Sequence, residues 1–343
     1  AEGGFAMSGR RTLQIHSSPH IASGASVDTI MRNVVWALLP VAAFSVYSFG
    51  LAALFTLLAA TLSCVLTEHL MCRWAAKPTT VNDWSVTITG LLYGLTLPPS
   101  LPLWMTVCGG AIGVAMAKFM FGGLGYNAFN PALVGRAFLQ AAFPAAMTTW
   151  TPPLAPERFT SLPGSTFTIP FAAPVYDGAS GATPLSLMKF DQQLTATGDL
   201  LLGLTSGSAG ETCAVLILLG GAYLAARRMM NWRIPVAILA TVALMSWVFN
   251  TIDPATYPPA GFMLFSGGLM LGAVFMATDM VASPITALGS VIYGILIGVL
   301  ITVIRLWGGM PEGVMYAILL ANAVSPHIDN LVQPRVYGTG RSS

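Results

Sequence analysis

The chain has 343 residues, 55% of them hydrophobic and only 8% charged, and a formal net charge of +2. A soluble domain carries roughly 25% charged residues, so a water-facing surface cannot be built from this composition, and the expected surroundings are membrane lipid. The small net charge, with basic residues scattered or at segment ends, excludes a nucleic-acid partner.

Residues 1–10 show neither the short apolar core nor the cleavage site of a secretory signal, so insertion is expected to be directed by the spans themselves. In chain order, apolar runs able to cross about 30 Å of hydrocarbon fall near 34–49, 51–71, 103–121, 131–147, 212–226, 234–249, 262–277 and 287–305. Two shorter segments, near 84–97 and 312–325, contain Gly or polar residues, which suits helices shielded by other helices. The expected fold class is an all-α polytopic membrane protein with about ten transmembrane helices and one large outer loop.

That number of crossings puts both termini on one side, and Lys and Arg in short loops indicate which. With the N-terminus cytoplasmic, the inner positions collect Arg10, Arg11, Arg32, Arg73, Lys77, Lys118, Arg136, Arg227, Arg228, Arg233, Arg335 and Arg341. The outer positions hold Arg158, Lys189 and Arg305. The expected organisation is a cytoplasmic segment 1–30, a membrane unit 31–147, an outer loop 148–210, a second membrane unit 211–327 and a cytoplasmic tail 328–343.

The two membrane units share an order of features. The first reads TGLLYGLTLPPSLP, then GGAIGVAMAKFMFGG, then YNAFNPALVG; the second reads SGGLMLGAVFMATDMVASP, then GSVIYGILIGVLITVIRLWGG, then YAILLANAVSP. Five spans per half is odd, so the halves are expected to be inverted repeats, which gather sites where broken helices meet. Small residues also allow close helix packing in lipid whatever the function. SPHI occurs at residues 18–21 and again at 325–328, an echo without a physical account.

Cys64, Cys72, Cys108 and Cys213 lie in or beside apolar segments with no metal-ligand spacing, and are read as free thiols. Within the outer loop stands Asp177-Gly178-Ala179-Ser180-Gly181-Ala182-Thr183-Pro184-Leu185. Small neighbours leave the Thr183 hydroxyl accessible to a modifying enzyme, and Pro184 restrains the backbone after it. GSAGET, residues 207–212, opens the sixth span; Ser208, Glu211 and Thr212 there either face an anion or cap the helix. Asn127 and Asn130 enter a cytoplasmic helix end whose Pro131 suits the first turn, as ligands or as partners of broken backbone. Thr278 and Asp279 occupy another cytoplasmic end, and a charge near membrane depth is a functional candidate or a plain interfacial charge.

With these motifs in place, the chain resembles the RnfD and NqrB family of membrane subunits. The resemblance rests on SGAT, on GYNAFNPALVGRAF at 125–138, on GSAGET and on MATDMVASP at 276–284. It implies FMN joined by a phosphoester to Thr183, within Ser180, Gly181 and Ala182, by a dedicated flavin transferase. It further implies that Asn127 and Asn130 help hold a second, non-covalent flavin, riboflavin, with Ser208, Glu211 and Thr212 secondary FMN candidates. By the same resemblance the loop is periplasmic, the chain is multi-pass in a bacterial inner membrane, and its partners are the other Rnf subunits. A tether through phosphate leaves the ring free for redox chemistry and keeps its local concentration high. No catalytic side chain or metal is expected, and no Rossmann fingerprint or cysteine cluster is present in the sequence. The length favours the Rnf type over the quinone-reducing counterpart. A channel or secondary transporter built on inverted repeats is the competing class, and a structural anchor is a third; neither needs SGAT in a large loop.

Overall fold

The computed structural model describes residues 26–170, 172, 181–211 and 213–333, and all secondary structure among them is helical. Ser180, Asp177, Thr212 and the first SPHI therefore lie outside the described residues.

The chain opens on α1 (Val27–Phe49), where the Ser26 hydroxyl accepts from Thr29 N at 3.2 Å as an N-cap. Gly50, at φ 71°, separates it from α2 (Leu51–Trp74). The Arg158 backbone lies against Gly50 where a Cβ would stand, and the Arg158 carbonyl accepts from Leu51 N at 2.9 Å, so only glycine fits this corner. Then come α3 (Ser85–Leu95), α4 (Leu103–Val114) running into a π-helical turn Ala115–Phe119, α5 (Pro131–Ala142) and α6 (Pro144–Met147). The loop region contains α7 (Pro184–Asp191) and α8 (Thr197–Leu202). The second half comprises α9 (Ala214–Ala226), α10 (Arg233–Ile252), α11 (Ala260–Phe265), α12 (Leu269–Leu271) with its π-helical turn Gly272–Met276, α13 (Ala287–Trp307) and α14 (Val314–Leu331).

Four of these helices, α1, α2, α10 and α13, are long and apolar enough to cross a membrane. Their outward faces suit lipid. Leu58, Leu62, Leu66 and Leu70 repeat every four residues along α2 and are exposed, whereas Thr56, Ser63 and Glu68 of the same helix are buried. That is the reverse of a soluble helix, which turns its apolar stripe inward.

Helix pairing follows a parallel order in the two halves. Helix α2 packs on α3 and α4, and α4 on α5; α10 packs on α11 and α13, and α13 on α14. Across the halves, α1 meets α9 and α5 meets α14. Small residues permit the close crossings: Gly110 sits over Ser63 and Cys64, and Gly294 and Gly298 over Ala237 and Thr241.

Three segments depart from the sequence expectation. The run 131–147 is interrupted at Phe143 (φ −134°, ψ 58°), because Pro144 lacks an N–H and disfavours helical geometry in the residue before it. The run 262–277 is broken at Ser266-Gly267-Gly268, with Gly267 at φ 63°. The segment 312–325 is longer than expected, since α14 continues past Pro326 to Leu331 and absorbs the second SPHI. Two residues assigned to the inner loop charge, Lys118 and Arg136, prove to be buried side chains, 4% and 7% exposed. Lys118 pairs with Glu68 at 2.6 Å, so it answers to an internal partner rather than to loop electrostatics.

Candidate functional site

Thr183 is the N-cap of α7. Its Oγ1 accepts from Ser186 N at 3.2 Å and lies 2.9 Å from Ser186 Oγ, while Pro184 takes the first helical position. The residue is 7% exposed, more enclosed than its small neighbours suggested, because Pro184 and Leu185 beside it are buried too. Gly181 donates to the Trp150 carbonyl at 3.0 Å and lies against Ser206, so the stretch of chain before the helix is held on both sides. Ala182 is exposed.

Lys189 anchors the other end of α7. Its Nζ donates to the carbonyls of Arg305 (3.0 Å), Met310 (3.2 Å) and Gly308. These cluster at the C-terminus of α13, where backbone carbonyls lack helical partners and a cation is favoured. Desolvation holds the Lys189 ammonium below the usual lysine range. The helix that begins at Thr183 is thereby pinned to the end of a long membrane helix.

Beneath it lies the break in the second half. Arg305, 4% exposed, donates to Met263 O at 2.7 Å and Ser266 O at 2.9 Å, closing the C-terminal end of α11. Glu312 accepts from Gly268 N at 3.0 Å, at the N-terminal end of α12, and stands 3.6 Å from Arg305. A positive group thus meets the negative end of one half-helix and a negative group the positive end of the next. Gly267 belongs in this gap, with Leu185 and Glu312 close where a Cβ would project.

GSAGET makes a backbone contact with the first half of the chain. Ala209 N donates to Leu97 O at 3.0 Å and Gly210 N to Leu95 O at 2.6 Å, so its N–H groups satisfy the end of α3. Ser208 Oγ donates to Glu211 Oε1 at 2.9 Å. Glu211, in the connection before α9, has its carboxyl pushed up by burial and then by the charge of Glu312. Thr212 lies outside the described residues.

At the opposite end of the bundle a cavity of about 120 Å³ joins the two halves. Asn127, Asn130, Thr278 and Asp279 line it, with Lys118 and Phe275 contributed by the two π-helical turns. Such turns recur at functional positions because the widened ladder re-aims side chains. Asn127 Nδ2 donates to Asp279 Oδ2 at 3.2 Å. Asn130 caps α5, its Oδ1 accepting from Ala132 N at 3.0 Å and its Nδ2 donating to Met276 O at 3.2 Å. The pairs that the sequence suggested separately therefore share one wall. Beside them, Lys118 also donates to Ser85 Oγ at 2.7 Å, and Thr80 donates to Glu68.

Sequence reasoning missed Lys189, Arg305, Glu312, Arg136 and the Glu68–Lys118 pair as structural charges. The available signal was position: Arg136 and Arg305 each interrupt an apolar run, where a charge needs a partner.

The NQR2, RnfD, RnfE family model matches residues 14–338. The chain is 41% identical over 343 residues to the D subunit of the proton-translocating ferredoxin:NAD(+) oxidoreductase complex of Clostridium ljungdahlii, covering 97% of this chain and 98% of the relative. It is 41% identical over 330 residues to the D subunit of the Na(+)-translocating ferredoxin:NAD(+) oxidoreductase complex of Acetobacterium woodii, covering 95% of each. It is also 41% identical over 329 residues to the D subunit of the ion-translocating oxidoreductase complex of Stutzerimonas stutzeri, covering 92% of this chain and 93% of the relative.

Proposed function

The chain belongs to the NQR2, RnfD, RnfE family, and from that premise we propose that it is the electron-carrying membrane subunit of an Rnf-type ion-translocating ferredoxin:NAD oxidoreductase, holding FMN by a phosphoester to Thr183. Other subunits of the complex are its partners, and a flavin transferase matures it.

The observation that carries the cofactor reading is the position of Thr183 at the N-cap of α7. A phosphodiester there would keep its negative charge at the positive end of the helix. The Ser186 hydroxyl, 2.9 Å from Oγ1, is a ready donor to a phosphate oxygen. Bound FMN would supply one-electron redox chemistry, and the residues here need only hold it in position. Lys189 fixes the far end of the helix and Gly181 the approach to it. Because Thr183 is enclosed, attachment requires α7 to lift or the loop to fold after modification. Mass spectrometry of the Thr183 peptide from the matured complex tests this: the expected gain is one FMN less one water, and an unmodified peptide contradicts it.

The cavity at the other end suits a second, non-covalent flavin, riboflavin. Asn127, Thr278 and Asp279 line it together with Ser85, Thr89 and Lys118, among apolar side chains such as Ile88, Leu92 and Phe275. Asn130 is largely committed to backbone, so its part is to hold α5 against the Met276 carbonyl.

For the membrane arrangement we infer ten crossings in two inverted repeats, with the Thr183 loop outside and both termini cytoplasmic. The matching helix partners in the two halves, and the meeting of α1 with α9 and of α5 with α14, support a pseudo-twofold relation. Cysteine accessibility on either side of sealed vesicles tests it: a cysteine at Phe159 should react from outside, and one at Trp74 from inside.

A further inference from the structure

Glu211 and Glu312 approach each other from different connections of the second half, one before α9 and the other before α14. Each has one oxygen already engaged: Ser208 Oγ donates to Oε1 of Glu211, and Gly268 N to Oε1 of Glu312. The two carboxyl groups stand within hydrogen-bonding reach of one another. Two carboxylates offer only acceptors, so a hydrogen bond between them requires a proton on one.

The surrounding charges are unequal. Glu312 has Arg305 at 3.6 Å, whereas among the described residues Glu211 has no cation within ion-pair distance. Arg136 of α5 acts on both carboxyls from farther away, and on Tyr316 of α14. Three enclosed polar atoms around the pair have no partner among the described residues: Arg136 Nε, Arg305 Nε and Ser266 Oγ. Their residues are 7%, 4% and 0% exposed. Unpartnered polar atoms of this kind mark a place for water, which would give a proton access to an otherwise closed site.

We propose that Glu211 and Glu312 form a proton-binding site that holds a single proton between their carboxyl groups at the break between α11 and α12. Uptake converts two adjacent carboxylates and one H⁺ into one carboxylic acid hydrogen-bonded to one carboxylate, and no electron moves. Glu211 is the protonated member, because Arg305 and the Gly268 N–H favour charge on Glu312. Loss of the proton leaves two like charges side by side, and the repulsion acts on the carboxylate that holds the start of α12. The site thus ties protonation to the geometry of the broken helix. It stands apart from the flavin reading, since no group attached at Thr183 is needed to form it.

Infrared difference spectroscopy on the full-length chain in detergent, titrated across pH, tests it directly. The wild type should show a protonated-carboxyl C=O band that persists at pH 7 and shifts in D₂O. Glu211→Gln should lose that band, since the amide N–H₂ replaces the proton and leaves Glu312 ionised; Glu312→Gln replaces the carboxylate that shares the proton and should shift the band. A band unchanged in both variants assigns the proton to other carboxyls and overturns the proposal. Should either variant fail to fold, the wild type still decides: absence of the band at pH 7 overturns the shared proton.

Discussion

Replacing Lys118 by Met should destabilise the membrane fold by about 3–5 kcal/mol, the cost of leaving one member of a buried ion pair alone. The size follows from enclosure: the side chains of Lys118 and Glu68 are 5% and 4% exposed, with Nζ 2.6 Å from Oε2 and 2.7 Å from Ser85 Oγ. Methionine fills the stem volume, removes the cation and both donated bonds, and leaves the Glu68 carboxylate with the Thr80 hydroxyl. A surface pair of the same geometry would contribute only about 0–1 kcal/mol. Unfolding of the purified chain by dodecyl sulfate, followed through tryptophan fluorescence, reads the difference as a folded-to-unfolded ratio lowered at least ~100-fold. Adding Glu68→Gln should recover most of the loss by removing the stranded charge. A single-variant cost under about 1 kcal/mol, or no recovery in the double variant, would refute the view that this pair is sealed from water.

Four other outcomes are expected. Gly298→Ala pushes a methyl toward Thr241 Cβ (2.7 Å) and Ile238 O (3.0 Å), and should cost about 1–3 kcal/mol in the same unfolding measurement. Lys189→Gln should loosen α7 from the end of α13, seen as faster amide exchange over 184–191 with little change in α13 itself. Thr183→Ala removes the cap of α7 and should speed exchange at Ser186 in unmodified protein, whereas Thr183→Ser should leave it unchanged; the cap contributes about 1 kcal/mol. Burial raises the Glu211 carboxyl, so the folded state keeps a proton that the unfolded chain has lost above the ordinary glutamate range of about 4.5. Stability should therefore fall as pH rises from there toward the raised folded value, and Glu211→Gln should flatten that slope.

The sequence carried the helices better than their interruptions. Each apolar run contains helix, because a long stretch without charges leaves the backbone no other way to satisfy itself in hydrocarbon. The break at Ser266-Gly268 was hidden because the composition around it stays apolar, and what sustains it is Arg305 and Glu312, far away in the chain. Arg136 sits inside an apolar run, and the Glu211 carboxyl and Tyr316 of α14, which feel its charge, come from distant parts of the chain. In the candidate site, the nearness of Asn127 and Asn130 was legible, but their meeting with Asp279 and Met276 joins the two halves and lies beyond local pattern. GSAGET shows another limit of local pattern: Ala209 N and Gly210 N donate to the Leu97 and Leu95 carbonyls at the end of α3, a pairing between segments far apart in the chain.

The assignment of the loop as a redox carrier turns on one bond at one hydroxyl. The most direct test is in-gel flavin fluorescence of the chain produced with its flavin transferase, denatured and separated beside Thr183→Ala made in the same way. The expected result is a fluorescent band in the wild type and none in the variant; fluorescence retained by Thr183→Ala, or absent from the wild type, would contradict it.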